Sequence, residues 1–167
     1  MKLNVRELVI NAFIASIYIV LVVVNVVYSF GALQFRIAEI LMILILFNKK
    51  YIYGLTLGCF IANVFSTLGW IDMVFGTLAT FIPLLLMILT KKILPVYIRL
   101  LLLSIFNGII VGIELSIVFG DPIVFNMIYV FVGEFVVTFI LGLPLYYLLL
   151  KNKKVKSILE NKNEISY

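Results

Sequence analysis

Apolar residues run along this chain in long blocks, and a few short polar clusters break them into elements. The block Leu8–Tyr28 has about the twenty residues that a helix needs to cross hydrocarbon. It is too long for the apolar core of a signal peptide and lacks a small-residue cleavage site, so it stays in the membrane. A shorter block, Ile37–Phe47, crosses only if its helix starts near Gln34, and Asn48-Lys49-Lys50 ends it. Helices are predicted over 51–67 and 73–89, with the loop Leu68–Asp72 between them and Thr90-Lys91-Lys92 after the second. Pro95 and Pro122 stand where helices over 96–119 and 123–150 begin, the first-turn position that tolerates a missing N–H. Asp121 reads as an N-cap. Pro83 and Pro144 fall inside helices and predict kinks. The tail 151–167 is polar, basic at first, and predicted to be a frayed helix. The pattern is that of an all-α integral membrane protein, one domain over 1–167 with six transmembrane helices.

Composition agrees with the pattern and charge gives it a direction. With 65% hydrophobic and 13% charged residues and a mean hydropathy of +1.25, the chain cannot cover its apolar surface as a soluble domain. If six helices cross with both termini cytoplasmic, Lys2, Arg6, Lys49, Lys50, Lys91, Lys92, Arg99, Lys151, Lys153, Lys154, Lys156 and Lys162 all lie inside, as the excess of cations in cytoplasmic loops requires. Only Arg36 faces outward. A re-entrant second helix would put Lys49 and Lys50 outside, so the short block is expected to span. The acids sort the other way: Glu39, Asp72, Glu114, Asp121 and Glu134 fall outside or in the outer half, and Glu7, Glu160 and Glu164 inside. A polar, mostly acidic pocket opening outward is expected.

An ionisable side chain in an apolar segment costs a few kcal/mol and usually marks a substrate or ion path. Arg36 and Glu39 stand three residues apart in FGALQFRIAE, where a helix would let them neutralise each other. Asn63 comes at roughly 6 Å from the outer end of its helix; its amide suits either a ligand or an interhelical hydrogen bond. Glu114 is similarly shallow, Asn107 shares its face nearer mid-membrane, and Glu134 enters from outside on a stripe with Met127, Phe131 and Thr138. Asp72 and Trp70 sit in the loop above, Trp70 also fitting an interfacial aromatic belt, and Tyr28 closes the outer end of helix 1. Several helices thus offer polar groups at one level, as a pocket between helices requires. The absence of His and the single Cys59 exclude soft-metal clusters and imidazole catalysis, and Cys59 reads as a small buried residue. Gly54, Gly58, Ala62 and Ser66, and Gly108 with Gly112, are spaced for close internal helix packing. Ala12 and Ser16 form a smaller patch suited to docking a partner.

The segments FGALQFRIAEIL (Phe30–Leu41), YGLTLGCFIANVFSTLGWIDMVFGTLAT (Tyr53–Thr80) and VGEF (Val132–Phe135) resemble the QueT family of queuosine-precursor transporters, substrate-binding S components of energy-coupling-factor (ECF) transporters. The resemblance covers nearly the whole chain. It implies uptake of a 7-deazaguanine such as preQ1 at a prokaryotic cell membrane, energised by two ATPase subunits and a transmembrane coupling subunit, with delivery by toppling of the small protein. No P-loop occurs, so ATP acts elsewhere and this chain carries no cofactor; no nucleic-acid partner is expected. The family's small-residue face on helix 1 falls on Ala12 and Ser16, where Ser16 departs from the family's alanine.

The ligand implied fits the acids. A deazaguanine presents adjacent N–H donors on its pairing edge for one carboxylate, an O6 acceptor and a flat face for an aromatic, and preQ1 adds an ammonium arm for a second carboxylate. Glu134 or Glu114 is assigned to the purine edge, and the other, or Asp72, to the ammonium. Asn63 and Asn107 go to O6 and a ring nitrogen, and Trp70 or Tyr28 acts as a stacking lid. Arg36 and Glu39 are expected to fix the first outer loop over the pocket. A proton-coupled secondary carrier for a small cationic or nucleobase-like solute is the alternative, though no inverted repeat is evident. A membrane hydrolase built on Asp72 and Glu134 ranks below both, so the chain is not expected to be an enzyme.

Overall fold

The computed structural model describes residues 3–30 and 35–160, and every element among them is helical. Helix α1 (Val5–Val24) starts three residues before the apolar block because Asn4 and Glu7 form a reciprocal cap. The Asn4 side chain accepts from the Glu7 N–H at 2.8 Å and the Glu7 carboxylate accepts from the Asn4 N–H at 3.0 Å, which satisfies two of the end's orphan donors. The helix breaks at Asn25, whose side chain donates to Leu21 O, and resumes as the short α2 (Val26–Ser29). The second apolar block is wound as a 3-10 helix over Ile37–Leu46. At about 2.0 Å per residue against about 1.5 Å for an α-helix, ten residues reach about 20 Å instead of 15. The predicted start near Gln34 lies outside the described residues.

Further along, α3 (Ile52–Ala62) ends five residues earlier than predicted and runs into a 3-10 turn at Asn63–Phe65. Helix α4 (Trp70–Leu89) begins earlier than predicted, so Trp70 and Asp72 belong to its first turn and not to a loop. Gly69 causes this. With φ 61° it reverses the chain in the left-handed region as the N-cap, a conformation that glycine adopts without strain. Helix α4 continues across Pro83. Helix α5 (Val96–Phe119) has the predicted bounds. The N-cap of α6 (Ile123–Glu134) is Pro122 with no side-chain bond, so Asp121, which is exposed, does not cap it. The last long helix is not uniform: a π-helical segment, Phe135–Leu141, separates α6 from α7 (Gly142–Lys151). It lies just before Pro144, which lacks the N–H that an α-helix would offer to Ile140. The tail forms α8 (Lys153–Leu159), and Leu159 O accepts from the Tyr51 hydroxyl at 2.8 Å.

Among the described residues, four helical stretches are long and apolar enough to cross a membrane: α1, α4, α5 and the continuous run Ile123–Lys151. The polarity of the fold is inverted accordingly. Phe13, Val27 and Ile117 are 66%, 77% and 73% exposed, whereas Glu39, Asn63, Asp72, Glu114 and Glu134 are at 1% or less. This is a membrane protein, with its apolar girdle turned to lipid and its ionisable groups inside. Small residues set the helix spacing as expected. A Cβ on Gly54 would stand 2.5 Å from Asn11 O, and one on Gly112 2.7 Å from Met127, so α1 meets α3 and α5 meets α6 backbone to backbone. Asn11 reinforces the first contact by accepting from the Gly54 N–H at 2.7 Å, and Glu7 pairs with Lys50 beside it. Ser66 falls past the end of α3 and outside that ladder.

Candidate functional site

Six elements converge on one buried charged cluster. Arg36 is the N-cap residue of the 3-10 helix and Glu39 lies in its first turn. In a 3-10 winding residues three apart eclipse, which places their side chains one over the other with Arg36 Nη1 3.9 Å from Glu39 Oε1. The same carboxylate oxygen accepts from the Tyr18 hydroxyl of α1 and, at 3.4 Å, from Thr80 of α4. Cys59 of α3 completes this floor, 3.3 Å from Thr80 Oγ1 and 3.9 Å from Arg36 Nη1. The Arg36 guanidinium also lies 5.3 Å from the centre of the Phe30 ring, within cation–π range.

Three further carboxyl groups face this centre. Arg36 interacts electrostatically with Asp72 as well as Glu39, Glu114 with Asp72 and Arg36, and Glu134 with Glu39 and Arg36. Four carboxyl groups therefore share one guanidinium. Among the described residues, Arg36 Nε and Nη2, Glu39 Oε2, Asp72 Oδ1, both Glu114 oxygens and Glu134 Oε2 are buried without a hydrogen-bond partner. Leaving such groups unmatched costs about 1–3 kcal/mol each, more when charged, and folded chains retain that arrangement chiefly at functional sites.

The two asparagines hold the frame. Asn63 donates to Asp72 O at 3.0 Å, across a gap that Gly76 keeps open: a Cβ there would meet Asn63 Nδ2 at 2.7 Å and Asp72 Oδ1 at 3.0 Å. Asn107 donates to Leu103 O at 3.1 Å and to Ala79 O at 3.5 Å, linking α5 to α4. Both amide nitrogens are thus engaged with backbone carbonyls. Thr138 donates to Glu134 O at 2.7 Å and pairs with Ser104 at 3.0 Å, fixing the turn at which the π segment begins.

Of the residues singled out in the sequence, Arg36, Glu39, Asn63, Asp72, Asn107, Glu114 and Glu134 are all buried. Trp70 and Tyr28 are not among them. They are 72% and 68% exposed, in the first turn of α4 and in α2. Arg36 and Glu39 are the buried centre of the cluster; residues 31–34, in the first outer loop that the pair was expected to fix, lie outside the described residues. The clefts of about 540, 330 and 310 Å³ are lined by other residues, the first at the lysine-rich end and the others by apolar side chains of α3–α4 and α5–α6. Ala12 and Ser16 are exposed on α1, Ser16 Oγ donating to Ala12 O.

Tyr18 and Thr80 escaped the sequence reading, and Cys59, read there only as a small buried residue, is buried within the cluster. A signal for the first was available, since Asn11 and Tyr18 are seven residues apart and therefore share a face of an otherwise apolar helix.

The sequence model of the QueT transporter family matches residues 8–151. The chain belongs to the QueT transporter family. A curated member of that family, the queuosine precursor transporter QueT of Lactococcus lactis subsp. cremoris (strain MG1363), is 36% identical over 83 residues, 48% of this chain and 48% of that protein. The aligned part thus spans about half the length of that relative. No solved structure matches the chain. The QueT family assignment agrees with a buried polar site inside an apolar helical bundle.

Proposed function

We propose that this chain is the substrate-binding S component of an ECF-type importer and takes up a queuosine precursor of the 7-deazaguanine type, preQ1 fitting best. The observation that carries the reading is the set of unpartnered buried atoms around Arg36 in a QueT-family chain. A flat heterocycle bearing both donors and acceptors matches such a set. Carboxylate oxygens of Glu114 or Glu134 accept from its pairing edge, Arg36 Nε and Nη2 donate to O6, and the remaining acids balance the ammonium arm. Arg36 replaces the asparagines as the O6 donor, because their amide nitrogens are engaged with backbone. Trp70 and Tyr28, both exposed, are in this reading the aromatics that close over the ligand.

In this reading the chain crosses a prokaryotic plasma membrane six times, with the 3-10 helix and α3 as the two short crossings and both termini cytoplasmic. A coupling subunit docks on the Ala12/Ser16 face of α1, and two ATPase subunits supply the energy. Calorimetry on the purified chain tests the site. Glu134→Gln or Glu114→Gln is expected to weaken preQ1 binding by about 1.5–3 kcal/mol, the range for hydrogen bonds to a charged group, and guanine, lacking the ammonium, is expected to bind more weakly than preQ1. Unchanged affinity in both variants removes the carboxylates from the ligand. Uptake into vesicles by this chain alone, driven by a proton gradient, would replace the S-component reading with a secondary carrier.

A further inference from the structure

A second polar site lies at the lysine-rich end of the bundle, away from the Arg36 cluster. The cleft of about 540 Å³ is bordered by Lys49, Lys91, Lys92 and Arg99, with Glu160 of the tail as the one carboxylate on its lining among the described residues. Asn48 also lines it, and the rest of its lining is apolar, from Ile45, Phe47, Ile88 and Leu89. Arg99 distinguishes it from an ordinary basic surface. It is only 5% exposed, and its Nε is buried without a hydrogen-bond partner among the described residues. It also sits in the first turn of α5, where the positive end of the helix dipole disfavours a cation. A guanidinium held in that position, lining a cleft beside three lysines, is matched by an anion with at least two acceptor oxygens.

We propose that this cleft is a binding site for the phosphodiester headgroup of an anionic phospholipid. Arg99 and the lysines hold the phosphate, and the apolar walls take the first methylenes of the acyl chains. A lipid suits the cleft better than a soluble anion because cations and apolar side chains share its lining. Basic recesses between helices at the cytoplasmic side of membrane proteins are suited to such headgroups. An acidic protein segment would supply the charge but has no use for the apolar walls.

The test titrates the delipidated full chain, in neutral detergent, with dioleoylphosphatidylglycerol, dioleoylphosphatidylcholine or inorganic phosphate, with native mass spectrometry as the readout. One phosphatidylglycerol is expected to be retained per chain in preference to phosphatidylcholine. Arg99→Gln, and the double variant Lys91→Gln/Lys92→Gln at exposed positions, are expected to weaken it by about fivefold per cation removed. Lys153→Gln/Lys154→Gln, equally basic positions on α8, is expected to leave it unchanged. The double lysine variant keeps the test decisive if Arg99→Gln fails to fold. Equal retention of the two lipids, or wild-type affinity in the lysine variant, overturns the site. Inorganic phosphate bound as tightly as the lipid reassigns it to a free anion, and an acidic peptide retained through Arg99 where phosphatidylglycerol is not reassigns it to a protein partner.

Discussion

Glu39 and Glu114 are both buried carboxyl groups, yet substitutions at them should do opposite things. Glu39 is tied to Arg36, Tyr18 and Thr80, and Glu39→Gln takes from the buried guanidinium the one carboxylate within ion-pair distance among the described residues. Removing one partner of a buried pair costs about 3–5 kcal/mol, so thermal unfolding of the ligand-free variant should shift sharply downward. Glu114 has no hydrogen-bond partner for either oxygen among the described residues. Glu114→Gln therefore removes a buried carboxyl group that makes no hydrogen bond in the fold, and should leave unfolding unchanged or raise its midpoint, while weakening the ligand. A fall in stability equal to that of Glu39→Gln would show that Glu114 supports the fold and not the site. This split between stability and binding is the usual signature of a functional residue.

At the scale of elements, two small-residue faces of one contact region predict different outcomes. Gly54 lies against Asn11, so Gly54→Leu forces α1 and α3 apart and should cost about 1–3 kcal/mol, the range for overpacking, or prevent folding. Ala12 and Ser16 are exposed; Ala12→Leu/Ser16→Leu should leave ligand affinity in detergent intact and abolish ATP-dependent uptake in cells carrying the coupling subunit and ATPases. Normal uptake places the docking face elsewhere, and lost binding makes the patch internal. The sequence pattern gave up these elements unevenly. The bounds of α5 were readable because Pro95 and Pro122 punctuate a predominantly apolar run. The 3-10 and π windings were not, since the same residues suit an α-helix and only packing against neighbours selects the pitch. The start of α4 was missed because Gly69 acts through its backbone, with no capping side chain to announce it.

For the whole molecule, Arg36, read as facing outward, and Asp72, read as part of a loop, are buried all the same, whereas the burial of Glu114 and Glu134 was legible from the rarity of ionisable groups in apolar blocks. Which of them pair was not, because the Arg36 centre is assembled from α1, α3, α4 and the 3-10 helix, and contacts across such distances in sequence leave no local spacing to read. The proposed orientation has its own test. Cys59 is the only cysteine and is buried, so a cysteine introduced at an exposed site reports without background. An impermeant maleimide applied to whole cells should label Asp121→Cys and leave Lys153→Cys untouched; the reverse pattern inverts the topology, and labelling of both from outside breaks the six-crossing count.

Between α6 and α7 the chain carries a surplus residue. The Gly142 N–H reaches back five residues to Val137 O, whereas an α-helical bond reaches back four, so a π turn takes in about one residue more than an α turn while keeping the flanks in register. Phe135 and Phe139, inside that winding, stack at 4.9 Å and 13°, closer than Phe131 and Phe135 at 5.7 Å and 21°. Deleting Ile140, an exposed residue of the segment, should therefore let it close as an ordinary α-helix with Glu134 and Gly142 still against their neighbours. The same deletion at Ile109 of α5, also exposed, turns one half of that helix by about 100° against the other and pulls Gly108 or Gly112 off Met127 and Phe131. Expression and thermal unfolding of the two deletions, measured side by side, should separate a tolerated loss from a ruinous one; equal damage would mean that the π turn itself is needed to seat Glu134.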